Sequence, residues 1–226
     1  MDSSKRTVRV LVAGGLIAAV GALIFAWQSR SPLPRRFVEV RPGWLFRSAQ
    51  IPAADVATVL RDQGIDLVVD LTADSVDPDR QAEAAAARAL GVSYVHSPVT
   101  PGADEITAYA PAIVAIAQAH ARGDRVLVHC ELGHRRSAAT IALYARLIEH
   151  EPPAVAYREL FRFADEHTTW QAKSQSFLEQ HLPELEARVT AALAQGTAPI
   201  SRSSPITAQG EELANSPARS TATQSR

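Results

Sequence analysis

Val126 to Ala138 reads V-L-V-H-C-E-L-G-H-R-R-S-A, and its residue types and spacing are those of a reactive site. It opens apolar and β-branched, as a buried strand does. The chain's one cysteine, Cys130, comes next. A short loop through Gly133, the pair Arg135-Arg136 and Ser137 then lead into a helical run. Strand, tight loop and helix N-terminus together present successive backbone N–H groups to an anion. Cys130 opens this cradle and Arg136 closes it. Amide hydrogens and the helix dipole lower a thiol pKa there, and the thiolate is the nucleophile. Arg136 can grip two phosphate oxygens bidentately, which lysine cannot do. Ser137 can donate to the sulfur and help it leave in a second step. Glu131, Leu132, Gly133, His134, Arg135 and Arg136 form the expected phosphate-binding loop.

Two plainer readings compete. A lone cysteine can be a small buried hydrophobe. A histidine beside it can suggest zinc, but zinc wants four ligands, or three plus water. His129, Cys130 and His134 would have to supply them from one tight loop, with no second cysteine available. The expectation is therefore a nucleophilic loop with no metal and no cofactor.

His129 to Ser137 matches, position by position, the H-C-x-x-G-x-x-R-S/T signature of the cysteine-dependent protein tyrosine and dual-specificity phosphatases. Trp44-Leu45-Phe46-Arg47-Ser48-Ala49-Gln50 resembles the start of their compact atypical dual-specificity members. The resemblance runs from about Phe37 to Phe163. It implies a phosphotyrosine-phosphatase-like fold and hydrolysis of phosphomonoesters through a cysteinyl-phosphate. It also implies a histidine, His129, that tunes the thiolate.

The resemblance further implies an aspartate acid on an upstream loop, soon after a proline that ends a strand. Here Pro98 is present, but Val99-Thr100-Pro101 stand where that aspartate commonly falls. Asp104 is the nearest carboxylate, with Glu105 beside it and Asp74 and Asp77 as rivals. Asp104 could equally cap the helix that follows, and one residue can do both. His134 and Arg135 enlarge the positive field at the loop. Arg47 is expected to pair with a carboxylate, and His96 to be structural.

Stepping outward from the loop, strands are expected at Phe37–Val40, Trp44–Arg47, Ile65–Leu71, Val92–His96 and Val126–His129. Helices are expected at Pro52–Gln63, Pro78–Leu90, Asp104–Arg122, Arg136–Glu149, Pro152–Phe163 and Gln171–Ala194. That alternation implies an α/β fold: a mostly parallel central sheet of about four or five strands flanked by helices. Ligands of such sheets bind beyond the carboxyl ends of the strands, where Cys130 falls.

Composition agrees with a globular domain. Hydrophobic residues make up 46% and charged residues 21%. The net charge of -1 offers no electrostatic footprint for nucleic acid. One cysteine permits no intrachain disulfide.

Ahead of the domain, Val10–Trp27 carries no charge and follows the basic Lys5, Arg6 and Arg9. Its length of about 18 residues is at the lower edge for a membrane span. No small-x-small cleavage site follows, so an uncleaved single-pass anchor is expected over residues 1–30. A short basic tail before a first span stays inside, which would put the catalytic domain on the outer face, although Arg30, Arg35, Arg36 and Arg41 leave little charge asymmetry. Residues 31–195 form the expected phosphatase domain. Residues 196–226, rich in Ser, Thr, Ala and Gln, are expected to be disordered.

The expected partners are a phosphorylated protein or small phosphoester, and the membrane through the N-terminal helix. Inositol or lipid phosphates fit the loop as well. So does a catalytically weak phosphate-binding module. A sulfurtransferase or arsenate reductase also places cysteine in an anion loop, but the reductase recruits further cysteines, and Arg136 with Ser137 favours phosphate.

Overall fold

The computed structural model describes residues 33–73, 77–100, 105–162 and 168–196. The expected anchor, the tail from 197 onward, Asp74 and Asp104 lie outside them. Among the described residues, no helix is long and apolar enough to cross a membrane.

Five strands form one sheet in the order β1-β2-β5-β3-β4. They are β1 (Val38–Arg41), β2 (Leu45–Ala49), β3 (Leu67–Asp70), β4 (Ser93–His96) and β5 (Val126–Cys130). Only β1 runs antiparallel, joined to β2 by the tight Pro42-Gly43 turn. β2 and β3 flank β5 in parallel, with Ala49 opposite Cys130 and Asp70 opposite His129. This is the mostly parallel sheet expected, and β5 at its centre is buried throughout.

Alternation along the strands divides the core in two. On one face, Leu45, Val69, Leu71, Val126, Val128 and Cys130 meet the helices α4 (Ala110–Arg122), α5 (Arg136–Leu147) and α8 (Thr168–Ala194). On the other, Phe46, Val68 and Leu127 meet α1 (Val56–Asp62) and α2 (Pro78–Leu90). Strands covered on both sides have no polar face to show, which is why their sequence is so evenly apolar.

Helix α2 spans the expected residues. Asp77 accepts from Asp79 N at its start, Pro78 fits the first turn, and Gly91 closes it at φ 70°. Two expected helices are each divided. Asp104–Arg122 becomes α3 (Glu105–Ala108) and α4, parted at Tyr109. Pro111, with no N–H to give, belongs in a helix's first turn, so the helix restarts there. Pro152–Phe163 becomes α6 (Pro153–Ala156) and α7 (Arg158–Phe161), parted at the buried Tyr157. The helix expected from Pro52 begins at Val56, after a turn in which Asp55 N bonds Pro52 O.

Candidate active site

Three parallel strands end side by side at Ala49, Asp70 and Cys130, and the loop after Cys130 curls over their carboxyl ends. Gly133 sits at φ 62°, a conformation that penalises any Cβ. A Cβ there would stand 2.5 Å from Ser48 C and 2.6 Å from Ser48 O, and closer still to Ala49 N. Only glycine lets the loop seat against β2. Arg36 Nη1 donates to Leu132 O at 2.7 Å, and Gln50 N donates to Glu131 O at 3.4 Å. Gly133 N turns back to Cys130 O at 3.3 Å, so its contribution here is the turn itself.

Cys130 is buried on the loop floor. Burial alone raises a thiol pKa. The Ser137 backbone and hydroxyl, the His134 backbone and the Arg136 charge outweigh it, and together hold Cys130 below the ordinary thiol value. Ser137 Oγ lies 3.6 Å from Sγ, and with the sulfur ionised the hydroxyl is the donor. Arg136 opens α5. Its Nη1 donates to Leu71 O at 2.9 Å, and its Nη2 stands 3.4 Å from Glu131 Oε2. The guanidinium is thus anchored from behind, at the end of β3, beside the cradle. Leu132 is exposed at the loop's outer edge.

His129 faces the opposite side of the sheet from Cys130, as neighbours on a strand must. Its Nε2 is 2.9 Å from Glu83 Oε2 and 3.8 Å from Asp70 Oδ1, and all three residues are fully buried. Burial pushes the imidazole down, but Glu83, then Asp70 and Cys130, push it up to about 9. Asp70, Glu83 and His129 are the described residues grouped tightly enough to hold a metal. The 2.9 Å contact argues against it: two atoms bound to one ion, at roughly 2.0–2.2 Å each in tetrahedral array, stand farther apart.

The remaining candidates fall into place. Asp77 is occupied: Gln50 Nε2 donates to its Oδ2 at 2.8 Å, Asp79 N to its Oδ1 at 2.9 Å, and its pKa is lowered, first by Gln50. An acid held ionised in this way is a cap. Glu105 opens α3. His96 bonds Thr72 O at 3.0 Å and meets Arg80, a structural role as expected. Arg47, fully buried, donates to Glu159 O at 3.1 Å and faces Glu159 Oε2 at 3.6 Å. The carboxylate pair expected for it is present. Tyr109 is a buried phenol on which the charges of Cys130 and Arg136 both act. Arg36, Gln50, Leu71, Glu83, Asp70 and Tyr109 all bear on the site and had no local signal in the sequence.

Residues 41–146 match the family model described as beta-lactamase hydrolase-like protein, phosphatase-like domain. No curated protein sequence matches the chain. Among solved structures, P. aeruginosa TpbA is similar at 20% identity and TM-score 0.51, covering 72% of this chain and 99% of TpbA. A cysteine-to-serine TpbA variant in complex with pTyr aligns at 19% identity and TM-score 0.51, over 71% and 99% of the two chains. Human DUSP28 aligns at 25% identity and TM-score 0.49, over 68% and 99%. The fold and the loop define a phosphatase-like domain. Over residues 41–146 the chain is similar to that phosphatase-like domain, and its fold is that of TpbA.

Proposed function

We propose that this chain hydrolyses phosphomonoesters through a cysteinyl-phosphate on Cys130, as a protein tyrosine or dual-specificity phosphatase. The observation that carries the proposal is the sulfur's setting: a buried thiol whose pKa the Ser137 backbone and hydroxyl and the His134 backbone draw down, with Arg136 anchored beside it. The thiolate attacks phosphorus in line as the P–O bond to the leaving group breaks. Loop amides and Arg136 balance charge on the equatorial oxygens. Asp104, in the segment between β4 and α3, protonates the departing oxygen. It then takes a proton from the water that attacks phosphorus, the P–S bond breaks, and Ser137 steadies the thiolate as it leaves.

A phenolic phosphate is the substrate class favoured, since TpbA of the same fold has been captured with pTyr. The membrane placement rests on Val10–Trp27 alone, which would tether the domain and weakly favours the outer face. The test is phosphate release by the full chain from an aryl phosphate, phosphotyrosine and phosphoserine peptides, and inositol phosphates. Turnover is expected, fastest on phenolic esters. Cys130→Ser should lose it while still binding the ester. A Cys130→Ser variant with wild-type turnover, or wild-type binding with no release from any ester, would overturn the assignment.

A further inference from the structure

Pro34 to Phe37 form a tight turn, closed by Phe37 N donating to Pro34 O at 3.1 Å. Its third residue, Arg36, sits at φ 56°. A turn with a left-handed third residue usually places glycine there, because a Cβ is strained in that conformation. The side chain that replaces glycine is therefore the place to look for a compensating contact. It crosses to the phosphate loop, where Arg36 Nη1 donates to Leu132 O at 2.7 Å. The backbone holds the turn at the same spot: Ala49 N, at the end of β2, donates to Arg35 O at 2.8 Å. Gly133 packs on that same Ala49 amide. Turn, strand end and loop thus lie in three successive layers.

A planar trans peptide points its C=O and its N–H in opposite directions. Whatever holds a loop carbonyl outward therefore turns the next amide hydrogen inward. Two carbonyls of the loop are held in this way. Glu131 O is taken by Gln50 N at 3.4 Å, so Leu132 N–H turns away from β2. Leu132 O is taken by Arg36, so Gly133 N–H turns into the loop, where it meets Cys130 O at 3.3 Å. The Arg36 bond is the shorter of the two, and its donor is charged. A cation on the carbonyl also polarises the whole peptide, which makes its N–H a stronger donor.

We propose that Arg36 is a positioning residue for the phosphate loop: from a turn ahead of β1 it holds the Leu132 carbonyl outward, and so keeps the loop amides aimed at the anion above Cys130. The inference rests on the phosphatase reading of the site and adds a part to it. Arg36 lies ahead of residues 41–146, the span that matches the family model. Fold stability alone does not call for an arginine here. Glycine would close the same turn without strain, and an exposed charged contact adds little to stability.

Arg36→Gly in the full chain separates the two roles. Glycine relieves the strain at φ 56° as the bond to Leu132 O is lost, so the thermal unfolding midpoint should stay within about 2 °C of wild type. Even so, kcat/KM for an aryl phosphate should fall about ten-fold, shared about equally between a higher KM and a lower kcat, because the loop amides bind the ester and grip its transition state more tightly. The dissociation constant of inorganic phosphate, followed by phosphorus NMR, should rise about three-fold. Arg36→Lys, which keeps the charge, should lie between Arg36→Gly and wild type in both measurements. The proposal is overturned if Arg36→Gly keeps kcat/KM within about two-fold of wild type with phosphate affinity unmoved, or if Arg36→Lys does no better than Arg36→Gly. An Arg36→Gly chain that does not fold, or that unfolds more than about 5 °C lower, also overturns it, because Arg36 would then serve the fold. Phosphate binding keeps the two readings apart. Weakened binding in the variant, with a wild type that releases phosphate from no ester, refutes the phosphatase reading and spares Arg36. An active wild type with an unmoved variant does the reverse.

Discussion

Replacing Gly133 by alanine puts the geometry of the loop to its hardest test. Two penalties arise, and they separate. The first is conformational: at φ 62° an alanine meets a strain of about 1–2 kcal/mol. The second is steric. The new Cβ would lie 2.5 Å from Ser48 C and 2.6 Å from Ser48 O, where ordinary contact is 3.4–4 Å. Those atoms belong to β2, pinned in register to β5, so the loop must yield by about 1 Å rather than the strand. A displacement of that size at reacting groups costs about 100-fold in rate, or about 2.7 kcal/mol of barrier. Gly91→Ala supplies the control, for Gly91 has φ 70° with nothing within 4 Å of its Cβ position. Both variants should lose stability by denaturant unfolding, Gly91→Ala by about 1 kcal/mol and Gly133→Ala by more. Only Gly133→Ala should lose kcat/KM for an aryl phosphate. If it keeps kcat/KM within about three-fold of wild type, or if Gly91→Ala loses as much, the close seating of the loop on β2 is not what shapes the cradle.

Ser137→Ala removes a hydroxyl that favours the thiolate, so the thiol pKa rises and the acid limb of kcat/KM moves to higher pH, by about one unit; an unmoved limb would show that the hydroxyl does not bond the sulfur. Glu131→Gln frees Arg136 Nη2 from a competing and exposed carboxylate, so KM for a phosphate ester should fall by about 2–5-fold with kcat unchanged, and the gain should shrink in high salt. A rise in KM would mean that Glu131 orients the guanidinium. Glu159→Gln removes the Glu159 charge from beside the buried Arg47 guanidinium, whose pKa burial already pushes down to about 10. About 3 kcal/mol of unfolding free energy should be lost, and Arg47→Met in the same chain should recover part of it; a loss below about 0.5 kcal/mol would show that the pair is solvated.

What could be read from the sequence was whatever lay close together along it. The loop's chemistry sits in one run from His129 to Ser137, and helix α2 announces both its ends through Asp77, Pro78 and Gly91. The supports of the site are remote. Arg36 reaches Leu132 across 96 positions, Arg136 reaches Leu71 across 65, and Arg47 reaches Glu159 across 112. None of these contacts leaves a trace in local propensity or period. Glu83 was harder still to read. Within an alanine-rich helix a glutamate fits the pattern of a solvated face, and only the sheet register, which sets Asp70 against His129, reveals what α2 covers. The division at Tyr109 was missed: Pro111, which cannot sit deep in a helix, carried its signal, but the apolar run through it read as one continuous helix.

The same alternation that hid those supports arranges the charges. Arg47 projects on the Cys130 face and is met by Glu159 from α7, whereas His129 projects on the other face and is met by Glu83 from α2. On each face of the central strands, then, a buried basic side chain is met by a buried carboxylate. Buried pairs of this kind are expensive to desolvate, and removing one partner is strongly destabilising. A sulfur placed between them lies in a region of low dielectric, where fixed charges act over longer distances than they do in water. What holds the buried Cys130 below the ordinary thiol value is nearer still: the Ser137 backbone and hydroxyl, the His134 backbone and the Arg136 charge. Burial, which alone would protonate it, also strengthens every interaction that ionises it.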